Sequence, residues 1–292
     1  MKKLLYASVA ATAVAIAGGA NAADLRMPLK APPPPPPVFS WSGCSAGAHW
    51  GWGWGKSDLG ATTHALTTGG AVTTFHSGLG VSNTTSGPIY GGQVGCDYQW
   101  PGSQFVIGVS GSWAGADING QRDHTSGPFT IGAVTTNFLS TSLHTKVDEL
   151  ASVTGRIGWA ATGIFGNNNV LIYFKGGGAW MHQRTDISGS LTSTLAPNTV
   201  ILPFAGNFTN NKSGWTVGGG FEWALSFAPQ ASIFWEYDYY SFNHKDLLFD
   251  VDRFPGGGAA VTHFDLGLNP KINTVKVGIN YRFFGGPGYG GP

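Results

Sequence analysis

Apolar and polar side chains alternate without a break between residues 274 and 283. Val275, Val277, Ile279, Tyr281 and Phe283 interleave with Thr274, Lys276, Gly278, Asn280 and Arg282. A side-chain period of two sends the first set to one face of a strand and the second to the other. The second face is too polar to be the core of a soluble sandwich. The segment therefore fits the wall of a barrel, with lipid outside and water or polar side chains inside. Seven earlier segments carry the same pattern, near residues 41–54, 89–100, 104–114, 148–160, 170–181, 215–225 and 231–240. The clearest sets Trp215, Val217, Phe221, Trp223 and Leu225 against Thr216, Gly218, Gly220 and Glu222; in the next, Phe234 interrupts an otherwise polar lining.

The connections alternate too. Pro101-Gly102, residues 167–169 and Ala228-Pro229-Gln230 are short turn-forming links. Residues 55–88, 117–147, 182–212 and 241–271 are long and rich in Ser, Thr and Gly. Unstructured loops of that size count against a compact soluble fold, whereas short turns on one rim and long loops on the other suit an outer-membrane barrel. The expected fold is all-β: an eight-stranded antiparallel transmembrane β-barrel with short periplasmic turns, four long extracellular loops and both termini in the periplasm.

Composition sharpens this. Charged residues make up 11% of the chain, against roughly 25% in ordinary soluble domains. The 46 glycines and 11 tryptophans suit walls that meet lipid outside and approach one another inside. Lys2 and Lys3, the apolar run at 4–17 and Ala20-Asn21-Ala22 form a secretory signal peptide, residues 1–22. No later apolar stretch is long enough for a membrane helix. Residues 23–39 form a Pro-rich periplasmic linker whose six consecutive prolines, 32–37, extend over ~19 Å at about 3.1 Å per residue. The barrel is expected over 40–284 and a Gly/Pro-rich tail over 285–292. Loss of Lys2 and Lys3 leaves 14 basic residues against 15 acidic, a net charge of −1, so no basic field for nucleic acid exists. A secreted β-sandwich is the main soluble alternative.

The last strand resembles the C-terminal assembly signal of bacterial outer-membrane barrels, polar-x-Gly-x-x-aromatic-x-aromatic, with Lys276, Gly278, Tyr281 and Phe283 in its slots. The mature region resembles the alphaproteobacterial family of small outer-membrane proteins known as outer-membrane immunogenic or porin-family proteins. Trp41-Ser42-Gly43, Gly51-Trp52-Gly53-Trp54-Gly55, Gly91-Gly92-Gln93-Val94-Gly95, Gly115-Ala116-Asp117-Ile118 and Gly155-Arg156-Ile157-Gly158-Trp159 carry the likeness. The resemblance implies an outer-membrane location, recognition of the last strand by the barrel-assembly machinery, and a role in envelope integrity and surface interaction. The chain departs from that family in continuing past Phe283, and in placing Cys44 and Cys96 where aromatic residues are common.

By parity Asp97, Arg156, Lys175, Glu222 and Glu236 face the lumen, at similar distances from their short turns, and are expected to share one level. An eight-stranded barrel is only wide enough inside for side chains to fill. Two cations and three carboxylates there should pair and plug it; a gate or narrow ion path is the competing reading. Cys44 and Cys96 face outward on neighbouring strands. They form either a cross-strand disulfide in an oxidising compartment or two lipid-facing thiols that act as small apolar residues. Outward Trp50, Trp52, Trp113, Trp180 and Trp215 near strand tops, and Trp100 and Trp159 near the bottoms, read as interfacial girdles. Carbohydrate stacking is an alternative for the upper set.

Seven of the eight histidines fall in the long connections and His49 faces the lumen, with no pair at metal-ligand spacing. Gly55-Lys56-Ser57 echoes a phosphate-binding loop, but no helix is expected after it. No nucleophile and base are placed for catalysis, so neither enzymatic activity nor a cofactor is expected. The expected partners are outer-membrane lipid and the assembly machinery, with the external partner of the loops left open. A structural, envelope-anchoring surface protein with a charge-plugged lumen fits best. A small porin, an adhesin and a secreted lipocalin-type barrel are the alternatives.

Overall fold

The computed structural model describes residues 39–59, 62–68, 71–77, 82–131, 134–161, 170–195, 198–243, 245–252 and 261–284. The signal peptide, most of the proline-rich linker, the turn at 167–169 and the C-terminal tail lie outside the described residues. The strands are β1 (Gly43–Leu59), β2 (Thr62–Thr68), β3 (Ala71–Ser77), β4 (Ser82–Gln99), β5 (Phe105–Ile131), β6 (Val134–Ala161), β7 (Val170–Leu195), β8 (Asn198–Leu225), β9 (Ala228–Phe242), β10 (Lys245–Asp252) and β11 (Val261–Phe284).

Eight of them form a closed antiparallel ring in the order β1-β4-β5-β6-β7-β8-β9-β11, with β11 returning to pair with β1 through Ala48↔Ile279 and Trp50↔Val277. Closure removes the free edge that would leave backbone amides unpaired in hydrocarbon. Parity sorts the side chains as the alternation requires. Phe174 and Ile279 on the outer wall are 68% and 63% exposed, while Thr154, Thr216, Thr274 and Asn280 are buried in the lumen.

The two described periplasmic turns are tight. In Trp100-Pro101-Gly102-Ser103 the Ser103 N–H donates to the Trp100 carbonyl at 3.0 Å, and Gly102 has φ +73°. A type II turn favours proline before a residue with positive φ, and glycine takes that conformation without strain. The β8–β9 hairpin closes one step earlier than the Ala228-Pro229-Gln230 reading implies, because Ala228 already pairs with Leu225.

The long connections depart from the picture of open loops. A tilted strand crosses a bilayer in about 9–11 residues, yet β5, β6, β7 and β8 run for 27, 28, 26 and 28. Their pairing continues to Ile131↔Val134 at one hairpin and Leu195↔Asn198 at the other. Most of 117–147 and 182–212 is therefore strand, a four-stranded extension of the barrel wall. A β2–β3 hairpin stands between β1 and β4, and β10 lies between β9 and β11, with both β2 and β10 pairing with β11. Beyond the bilayer both faces carry Ser, Thr and Asn, so the apolar–polar alternation fades, although Thr, Val and Ile still suit a paired sheet.

Candidate functional site

At mid-height the inward face of the barrel gathers four carboxylates and four cations, and one further buried lysine, Lys212, lies opposite Met181 toward the external end. Toward the periplasmic rim, Arg156 forks onto Asp97 and approaches Glu222 at 3.4 Å, and Arg282 lies 3.7 Å from the same Glu222. Ser232 Oγ donates to Glu222 Oε1 at 2.5 Å. Higher up, two lysines and two carboxylates close a square. Lys175 Nζ reaches Glu236 at 2.7 Å and Asp238 at 3.1 Å; Lys276 Nζ reaches the same two at 2.8 and 2.6 Å. The Tyr173 hydroxyl donates to Glu236 at 3.0 Å, and the Arg156 guanidinium lies over the Tyr173 ring, so the two groups form one network. His49 also faces this lumen and is buried.

These contacts depend on missing side chains. Asp97 and Arg156 stand on β4 and β6, with Gly108 of β5 between them in register. Lys175 and Asp238 face each other across Gly218 of β8. In the same way Gln93 Nε2 donates to Asn280 Oδ1 at 2.8 Å across Gly47 of β1. In each case the glycine opens a path along the inner wall that lets one polar group reach another two strands away.

The charged level lies between two apolar ones. Along β7 the inward residues run Leu171, Tyr173, Lys175, Ala179, Met181 from the periplasmic end outward. Leu171 and Tyr173 join Trp41, Val106, Ala160 and Ala224 in a buried cluster at the periplasmic end. Ala179 and Met181 join Ile118, Leu150, Phe242 and Ile272 in another toward the external end. Trp41 turns under the barrel, where the Arg282 guanidinium lies 4.9 Å from its ring centroid. At the charged level, a cavity bordered by Gln93, Arg156, Lys175 and Glu236 holds about 20 Å³, room for roughly one water.

The chain matches the outer membrane protein beta-barrel domain family over residues 38–283. It belongs to that family. It is 28% identical over 206 residues to the 31 kDa outer-membrane immunogenic proteins of Brucella melitensis and Brucella suis, with 70% of each chain covered. Among solved structures it is similar to OprG of Pseudomonas aeruginosa, at 13% identity and a TM-score of 0.39, with 83% of this chain and 97% of that one covered. It is also similar to Ail of Yersinia pestis, at 14% identity and a TM-score of 0.29, with 83% and 99% covered. The protein is an outer-membrane β-barrel.

The wall of this outer-membrane barrel holds the other singled-out residues. Cys44 and Cys96 stand directly opposite each other on β1 and β4, Cα atoms 4.0 Å apart, and are joined as a disulfide. Trp50, Trp52, Trp113, Trp180 and Trp215 are exposed outward on the upper wall, and Trp100 and Trp159 near the periplasmic rim, where Tyr98 and Phe105 flank Trp100. On β11, Tyr281 and Phe283 are exposed outward, while Lys276 is buried in the lumen square and Gly278 lies beneath the Phe234 ring. Gly55-Lys56-Ser57 lies within strand β1.

The five lumen residues read from sequence fall into two linked groups within the charged layer. Asp97, Arg156 and Glu222 form the lower group; Lys175 and Glu236 belong to the square. Counting residues from each turn does not show which of them meet, because it ignores the stagger that tilted strands impose around a barrel. Asp238, Lys276 and Arg282 complete the network and were missing from that set, although parity already turned all three inward.

Proposed function

We propose that this protein is a non-conducting outer-membrane anchor that holds an external β-sheet extension out for surface interaction, and so contributes to envelope integrity. The closed lumen carries the reading: a charge-balanced layer of eight ionic side chains lies between two apolar plugs. A permeant ion would have to break the square, beside which there is room for roughly one water, and then pass an apolar constriction. Refolded protein in planar bilayers should give no unitary conductance steps at moderate voltage. Stable single-channel openings would overturn the anchor reading and support the small-porin alternative.

The extension favours the surface-interaction half of the proposal, since β5 to β8 project well beyond the roughly 25 Å apolar band of such a wall. An adhesin is the form this would take if the extension has a macromolecular partner. In this reading lipid covers the tryptophan-rich outer wall, and the assembly machinery recognises the last strand through Tyr281 and Phe283. Phe283→Ala should leave more full-length chain unassembled in the periplasm, scored as the heat-unmodified fraction on gels of cell envelopes. Unchanged assembly would remove that partner from the proposal.

A further inference from the structure

On the outer wall, two rows of three residues lie directly above one another across β6, β7 and β8. The lower row is Ala151, Trp180 and Ser213; the upper row, one residue pair further from the membrane, is Glu149, His182 and Asn211. Together they line a hollow of about 480 Å³. Its shape follows from the residues. Ala151 stands in register between Trp113 on β5 and Trp180 on β7, so a small side chain separates two large rings. The six-membered ring of Trp180 covers Gly178, where a Cβ would come within 3.3 Å of it. One side of the indole thus lies along the wall, and the side chain remains 49% exposed.

The outward polar groups of the hollow are directional, and Glu149 is the one carboxylate among them. His182 Nδ1 and Asn211 Oδ1 are 2.6 Å apart, which leaves the Asn211 amide N–H groups and His182 Nε2 for a ligand. Glu149 supplies a carboxylate acceptor on the exposed side of the hollow. A phosphate would meet the Glu149 charge. A sugar ring would stack its C–H face on the indole and share its hydroxyls among Glu149, His182 and Asn211. The hollow straddles the step from aromatic to polar wall, the level where an outer-leaflet lipid carries its headgroup.

From this arrangement we infer that the hollow is a binding site for the sugar headgroup of an outer-leaflet lipid. The site lies on the outer wall, so it is independent of whether the lumen conducts. The test uses mature protein folded in a sugar-free amine-oxide detergent, with dodecyl maltoside as a lipid-borne sugar, maltose as a free sugar and dodecylphosphocholine as a sugarless amphiphile. The readout is the indole N–H resonance of Trp180, assigned with Trp180→Phe, with Trp159 at the opposite rim as internal control. Dodecyl maltoside should move Trp180 saturably and leave Trp159 in place. Ala151→Trp, which fills the hollow, and Asn211→Ala, which removes a donor, should each weaken that response about tenfold, the worth of one good contact. Heat-modifiable migration checks that both variants fold. An equal response to free maltose would assign the hollow to sugars of the medium and overturn the lipid-borne assignment. Equal movement with dodecylphosphocholine, parallel movement of Trp159, or full affinity in both variants would overturn the site.

Discussion

Lys276→Met should destabilise the folded barrel by about 3–5 kcal/mol, the usual cost of leaving a buried ionic partner uncompensated. Lys276 is 1% exposed, and it touches both Glu236 and Asp238. Its removal leaves those two carboxylates with Lys175 alone, in a layer closed above and below by apolar side chains. Methionine keeps most of the stem volume, so the loss reports charge rather than a cavity. The measurement is urea unfolding of the barrel in lipid vesicles, followed by the change in gel mobility. A second substitution supplies the control: Asp238→Asn in the Lys276→Met background restores neutrality and should recover most of the loss. That coupling is what a double-mutant cycle isolates. If Lys276→Met costs less than about 1 kcal/mol, as exposed ion pairs do, then water reaches the square. The plugged-lumen reading would then fail together with its prediction of zero conductance.

The ring of eight strands was legible because its signal is local. Each stave between the girdles alternates greasy and polar residues, and in β11 or β8 that pattern leaves one assignment of faces. Closure adds little further information, since an eight-stave wall with short turns on one rim has few other ways to satisfy its edges. Two things were not legible. The lumen contacts depend on which residues of non-adjacent strands meet, and this is fixed by stagger around the barrel, not by distance along any one strand. Hence Asp238, Lys276 and Arg282 faced the right way by parity but could not be assigned partners. The second is the filling above and below the charges. Ile118 and Phe242 occur where the strands leave the lipid band and the outer face turns polar. There an inward apolar residue inverts the pattern, and the sequence reads as a loop. Phe234 was the one inward aromatic visible as an exception, and it lies over Gly278 within the wall.

Gly108→Ala and Gly218→Ala should each cost nearly as much as deleting an ion pair, although a single methyl group is added. A Cβ at Gly108 would lie 2.0 Å from Asp97 Oδ1, and one at Gly218 would lie 2.1 Å from Asp238 Oδ1, both inside any tolerable contact. The carboxylates must move, and each is pinned by the cation it faces across that glycine. The expected loss is about 3 kcal/mol, near the lower bound for breaking a buried pair. Gly155→Ala is the matched control, because a Cβ there meets nothing within 4 Å on the outer wall. It should be neutral or stabilise by about 0.5–1 kcal/mol through the reduced freedom of the unfolded chain. The mechanism itself is tested by pairing substitutions. If Gly108 matters because it opens the path from Arg156 to Asp97, then Gly108→Ala should add little once Asp97→Ala has emptied that path. If instead the alanine distorts the β4–β5 ladder through the Cys96 carbonyl, 2.8 Å from the same Cβ, the two losses will add. Additivity would mean that the glycine serves the backbone of the wall, and the account of ion pairs reaching across whole strands would be withdrawn for β5.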